Sequence, residues 1–357
     1  MKKRDLLLVM IGISGELPSA LAGEVVGSSS YAAAIITRLK QDGFISVRNK
    51  SGCKGYVLRA KGRRYLLENY RADTEYFLQG AVETSHVKSE VEKRIRLHRM
   101  SKAWVFYWKM GIPILRSQKP VLSGMAKKEW KGERQAAYYG SLEFKSGVDS
   151  IKGSRACGLF VTGESGYIVY HSMSQKMKWA KKMERSMRIW AERLLMQQGI
   201  TGSADAVILG DDMELLCELL ESDGGIRGNL YQVDDIFERS FFVPMCAEAE
   251  IQVQLFLSKN KRVSLYRFLC GILDTVEDRE YSVHAGFDRE GIPVYFCYEL
   301  EMRHLKRVKQ EMGWKKAGSI VCMEYQRIAL KQYFGEEVEI HEILSEKVMQ
   351  FLQQAGH

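Results

Sequence analysis

The chain has 357 residues, 46% of them hydrophobic and 27% charged, a globular composition with room for two or three domains. Only 5 prolines are present and no run approaches the ~18 apolar residues of a membrane span, so collagen-like, proline-rich and helical membrane classes are excluded. The net charge of +9 is uneven: residues 1–73 hold 13 Lys+Arg against 6 Asp+Glu, residues 74–200 hold 23 against 11, and residues 201–357 hold 17 against 27. A basic first part followed by an acidic remainder points to a polyanion facing the first part.

Residues 1–15 begin like a signal peptide, but Asp5 interrupts the apolar run and Glu16 stands where a small-residue cleavage site belongs. The segment 4–13 is therefore read as a first helix. Residues 14–18 break it, and Pro18 suits the start of a short second helix over 19–26, ended by Gly27. Ser28, Ser29 and Ser30 offer N-caps for a third helix over 31–41. Its Ala32, Ile35, Ile36 and Leu39 recur at three and four, which buries that face. The opposite face carries Ser30, Tyr31, Thr37, Arg38 and Lys40. An alternating strand over 44–48, a Gly- and Lys-rich turn over 49–55 and a second strand over 56–59 form a hairpin. A fourth helix starts at Lys61.

Helix, short helix, polar-faced helix, basic hairpin, helix is the order of a winged helix-turn-helix. In that arrangement Ser29, Ser30, Tyr31, Thr37 and Arg38 reach base edges in a major groove. Lys40, Arg48, Lys50, Lys54, Arg63 and Arg64 lie beside phosphates. The alternative is a winged helix used for protein contacts.

A helix over 87–108 carries Lys88, Lys93, Arg94, Arg96, His98, Arg99 and Lys102. Its charge suits a solvated face or an extension of the DNA footprint, and its apolar residues suit a core or a dimer seam. Residues 116–135 read as a loop. Further on, 154–161 and 166–170 form a hairpin, 177–197 a long amphipathic helix and 204–209 a buried-type strand. Residues 240–243, 251–257, 294–298 and 319–323 read as extended, and 213–220, 301–311 and 341–354 as helices. The expected fold is α+β: a winged helix over 1–73, a basic helical connector over 74–135, and an α/β domain over 136–357.

Chemistry-bearing constellations are weak. The seven Cys lie at least 24 residues apart, which suits reduced thiols in a cytoplasm and gives no zinc spacing. The closest histidines, His86 and His98, are too far apart for the metal-holding pair of a relaxase. The segment His304-Leu305-Lys306-Arg307 has the beginning of a tyrosine-recombinase order but reads as a solvated helix face. Hairpin, long helix and strand also follow the order of a degenerate restriction-endonuclease core. Asp205 would be its first acid, with Glu184 or Glu143 beside a Mg²⁺, yet no Glu-x-Lys strand follows. No catalytic residue, metal or cofactor is assigned, and a Mg²⁺-dependent nickase is the enzymatic alternative.

The chain resembles the replication-relaxation family of plasmids and conjugative elements. The resemblance lies in residues 35–39 and 61–66 of the winged helix and in Arg96-Leu97-His98-Arg99. It continues through 154–170 and Ala204-Asp205-Ala206-Val207. It implies a part in plasmid replication or DNA relaxation. The acid that many members carry after the Asp205-like strand is absent here, which speaks against a nuclease. The expected partners are double-stranded DNA, a replication or mobilisation protein, and a second copy of the chain across paired half-sites. No membrane partner is expected.

Overall fold

A computed structural model of the chain describes residues 1–79, 90–122, 136–277, 282–315 and 318–354. These form a mixed α+β structure with three sheets. The chain divides into two compact units, Met1–Gly147 with Cys157–Phe160, and Val148–Ala156 with Val161–His357. No described helix is long and apolar enough to cross a membrane.

The first unit runs α1 (Lys3–Ser14), β1 (Leu17–Pro18), α2 (Leu21–Val26), α3 (Ser29–Gln41), β2 (Ile45–Lys50), β3 (Cys53–Leu58), α4 (Ala60–Asn69), α5 (Arg71–Thr74), α6 (Val91–Lys109), β4 (Ala137–Gly140) and α7 (Ser141–Phe144). β5 (Gly158–Val161) follows. In α1, Leu7, Leu8, Val9, Met10 and Ile11 are all fully buried, so this helix is apolar around its circumference and forms the core of the unit. Its buried Asp5 accepts hydrogen bonds from the Tyr65 and Tyr70 hydroxyls, both at 3.0 Å. Burial, and then the bond to Asp5, push the Tyr70 hydroxyl up to about 12. α6, which the sequence marks as a connector, packs within this unit. The expected Val87 and Lys88 of its first turn lie outside the described residues.

α3 begins with Ser28 as N-cap, whose hydroxyl accepts the Tyr31 amide, and buries Ala32, Ile35, Ile36 and Leu39 as the spacing predicts. The hairpin is longer than the sequence suggests. Asn49 pairs with Lys54 and Lys50 with Cys53, which leaves Ser51-Gly52 as a two-residue loop. Both loop residues have positive φ, 50° and 76°, the condition of a type I′ turn. The turn's twist carries the pairing past the end of the apolar alternation, so polar residues with the composition of a loop are ladder residues. β1 stands where the sequence shows only a break. Two residues are too few to alternate, yet Leu17 pairs with Tyr56 and Pro18 with Gly55, giving the order β1-β3-β2 with proline on an edge.

The second unit contains β6 (Gly166–Met173), α8 (Lys181–Gln197), β7 (Ala204–Gly210), α9 (Glu214–Leu220), β8 (Ser240–Pro244), α10 (Glu250–Leu257), α11 (Lys259–Cys270), β9 (Thr275–Val276), β10 (Gly286–Phe287), β11 (Pro293–Phe296), α12 (Met302–Lys315), β12 (Ser319–Met323), α13 (Arg327–Phe334), β13 (Glu339–Ile343) and α14 (Ser345–Gln354). β6, β7 and β8 run parallel. A second sheet of order β13-β12-β11-β10-β9 is parallel on its β11-β12-β13 side and antiparallel on the other. Two expectations are overturned. Residues 251–257 alternate like a strand but form α10, because Ile251, Leu255 and the neighbouring Leu265 and Leu269 close one core over β11 and β12. Residues 339–343 are a strand and not the start of the last helix: β13 pairs along its whole length with β12.

Ser51→Val places a β-branched side chain in the left-handed region and should lower stability by about 1–2 kcal/mol. Ser51→Asn should hold or raise it, since Asn-Gly is the preferred pair for this turn. Thermal unfolding of the two variants reads the difference.

Candidate nucleic-acid interface

The exposed face of α3 is built by the same spacing that buries the other. Ser29, Ser30, Tyr31, Thr37, Arg38 and Lys40 are all exposed, and Tyr31 keeps 54% of its surface. Between them lie the exposed Ala33 and Ala34, which carry no chemistry to single them out in the sequence. With no atoms beyond Cβ they leave the middle of the face low, so a flat or grooved surface can come close to the helix while longer side chains reach in from both ends. Thr37 donates its hydroxyl proton to the Ala33 carbonyl at 2.9 Å and keeps its oxygen as an acceptor. Among the described residues Arg38, Lys40, Lys50, Lys54 and Arg64 enter no ion pair.

The hairpin register separates its two lysines. Lys50 shares a face with Arg48, Cys53 and Gly55, whereas Lys54 shares the other with Asn49, Val47 and Tyr56. Both are exposed and lie within two residues of the turn, so together they surround the tip with charge. Arg48 is half-buried. Arg63 is also half-buried, and its guanidinium donates to the Leu78 carbonyl, so this arginine holds the 75–79 segment. Arg64 is exposed.

Beneath the ribbon sits a polar cluster that sequence reasoning missed. Arg94 and His98 have the sequence context of surface charge on α6, but both are buried. Arg94 meets the fully buried Glu16 through Nε, at 3.1 and 3.0 Å, and through Nη2, at 2.6 Å. The same Nη2 donates to the carbonyls of Arg48 and Cys53, one on each strand of the ribbon, at 3.1 and 2.9 Å. His98 Nε2 lies 2.9 Å from Glu16 Oε1, and Ser101 donates to the Glu16 carbonyl at 2.7 Å. A Cβ on Gly55 would stand 2.4 Å from Glu16 Oε1, so glycine at this ribbon position is what lets the carboxylate lie against the strand. Burial pushes the Glu16 carboxyl up, but the hydrogen bonds from His98 and Arg94 outweigh it and hold the group below the ordinary range.

Glu16, Cys53 and His98 also bring a carboxylate, a thiol and an imidazole within 4.8 Å of one another, a donor set that suits zinc. Arg94 already neutralises the carboxylate, and burial pushes the Cys53 thiol up, away from the thiolate a metal needs. The arrangement is a salt-bridge cluster that positions the ribbon.

The acids considered for Mg²⁺ chemistry are each engaged. Glu184 accepts from Ser154 Oγ at 2.7 Å, Tyr170 OH at 2.8 Å and the Arg155 amide at 3.1 Å. Asp205 faces Arg239 at 2.7 Å, and burial pushes its carboxyl up. Glu143 accepts from Lys119 Nζ at 2.8 Å and from the Gly140 amide at 3.1 Å. Among the described residues none of the three belongs to a group of metal-ligating side chains. No family model, curated protein or solved structure matches the chain.

Arg94→Met strands the Glu16 carboxylate in the interior and should cost about 3–5 kcal/mol. Because the folded carboxyl is held low, its contribution is present above the ordinary carboxyl range and is lost as pH falls through the folded value. The parent should therefore lose more stability on acidification than Arg94→Met does, as read by acid unfolding of the two.

Proposed function

We propose that the chain is a double-stranded DNA-binding protein acting in the replication or mobilisation of a plasmid or conjugative element, or in its regulation. The reading rests on one observation: the α3 face presents hydroxyls, a phenol, a guanidinium and an ammonium around two alanines, with no ion pair to Arg38 or Lys40 among the described residues. The order α1-β1-α2-α3-β2-β3, with strands ordered β1-β3-β2, supports a winged helix in which α3 enters the major groove and the ribbon follows the backbone. The excess of Lys and Arg over residues 1–73 supplies the electrostatic footprint. The sequence resemblance to replication-relaxation proteins supports the mobile-element context.

Within this reading Ser29, Ser30, Tyr31, Thr37 and Arg38 address bases, with Ala33 and Ala34 allowing close approach and contact with thymine methyls. Lys40, Lys50, Lys54 and Arg64 address phosphates. The half-buried Arg48 and Arg63 add to these phosphate contacts, Arg63 while its guanidinium also donates to the Leu78 carbonyl.

Lys50→Ala with Lys54→Ala should weaken binding to all duplexes alike and reduce the salt slope by roughly 0.9 for each phosphate that is no longer neutralised. Arg38→Ala should erode discrimination between sequences by about 1–3 kcal/mol. Arg63→Ala should reduce the salt slope and also lower thermal stability, since its bond to the Leu78 carbonyl is lost. Fluorescence anisotropy on element DNA across a salt series reads all three. Parental binding by both the lysine pair variant and Arg38→Ala overturns the assignment.

A further inference from the structure

The second unit contains a cavity of about 770 Å³, within the size range of small-ligand pockets. It lies in the acidic part of the sequence, yet Arg239, Arg262, Arg303 and Arg307 line it together with His304, beside the three carboxylates of Glu238, Glu299 and Glu301. The negative partners do not balance them equally. Asp205 answers Arg239 at 2.7 Å. Glu299 stands close enough to Arg262 to interact with its charge. The Glu301 carboxylate is taken up by main-chain amides: it accepts from Ser240 N, Arg303 N and His304 N at 3.0, 3.1 and 2.6 Å, capping α12.

Arg307 lies close enough to Glu301 to act on its charge, and the Arg303 guanidinium has no carboxylate hydrogen-bonded to it among the described residues. Arg303 Nη1 donates to the carbonyls of Phe237 and Glu238 at 2.9 and 3.0 Å, which orient the guanidinium without neutralising it. Arg307, one turn further along α12, enters no ion pair among the described residues. The buried Arg262 Nε has no acceptor among them either. On another wall Tyr266 and Phe296 lie with ring centroids 5.4 Å apart and offer apolar faces. Two guanidiniums one turn apart suit an oxyanion of high charge, and the ring pair suits a flat organic body.

We propose that this cavity binds a nucleotide, with its phosphates on Arg303, Arg307 and His304 and its base against Tyr266 and Phe296. The residues of this site belong to the second unit and those of α3 and the ribbon to the first, and its occupancy does not depend on that surface binding DNA.

Isothermal titration of the full chain with inorganic pyrophosphate, a nucleoside monophosphate and a nucleoside triphosphate tests this. The triphosphate should bind more tightly than pyrophosphate alone, since only it reaches the ring wall. Arg307→Glu, at an exposed position, and His304→Ala should each retain the parental thermal transition. Arg307→Glu should weaken the triphosphate roughly tenfold or more, as expected when one charge-assisted hydrogen bond is removed and its charge reversed. The triple variant Arg38→Ala, Lys50→Ala, Lys54→Ala should bind the triphosphate like the parent. In that triple background, a 5′-phosphorylated oligonucleotide that competes better than the free nucleotide assigns the phosphate to a nucleic-acid end; weaker competition assigns it to the free nucleotide. Absence of binding by every phosphate, parental affinity in Arg307→Glu, or loss of binding in the triple variant overturns the proposal.

Discussion

The contact of Glu16 with Arg94 sets the geometry of the first unit. Each side chain alone would be an uncompensated charge in an apolar interior, at a cost of several kcal/mol. Brought together with good geometry they cancel, and the remaining Arg94 protons settle on carbonyls from both strands of the ribbon. A ribbon of two strands is marginal by itself. Here it is fixed on one edge by β1 and from below by a guanidinium on α6. The pair's contribution is more to position than to stability: an apolar replacement of both residues would fill the space but would release the carbonyls of Arg48 and Cys53. The segment from Glu16 into β1, the glycine at position 55 and the first turns of α6 are therefore one device, drawn from three places in the sequence.

That device explains which parts of the site could be read from the sequence. The α3 face was legible because one helix contains both its buried and its exposed periodicities, and because three serines mark its start. The ribbon was legible as a hairpin but not in its register. Register depended on the positive φ of Ser51, and serine is not a strong signal for that conformation. Arg94 and His98 were illegible as interior residues. They sit among five other basic residues on the same predicted helix, and charge at helical spacing reads as solvated surface until the partner, 78 residues away in sequence for Arg94, is known. The hydrogen bond of Arg63 was illegible too: its acceptor is a main-chain carbonyl, which leaves no trace in side-chain chemistry.

In the second unit another rule separates pattern from structure. Residues 251–257 alternate apolar and polar, and period two favours a strand. They became α10 because a helix there buries Ile251, Val253, Leu255 and Phe256. Conversely, β13 is mostly exposed, and its two isoleucines stand three apart among polar residues, a spacing that reads as a helix and not as a strand. It exists because the exposed edge of β12 needed a partner for its main-chain groups. Elements held by their own side chains were readable; elements held by a neighbour's unmet demand were not.

The arginines of the two units show how a structural cation differs from one available to a ligand. Arg94 faces a full carboxylate as well as two carbonyls, so its charge is neutralised and its Nε and Nη2 are both engaged. Arg303 has carbonyls only. Main-chain dipoles can fix the plane of a guanidinium but carry no net charge, so its charge in the cavity is offset only by the lining carboxylates of Glu238, Glu299 and Glu301. Half-buried and held by carbonyls, Arg303 keeps a desolvation cost that the fold offsets only in part. What remains to offset that cost is an anion that arrives from outside, which is why the arginine-lined cavity and not the better-paired cluster beneath the ribbon is where a bound ligand would make the larger difference to stability.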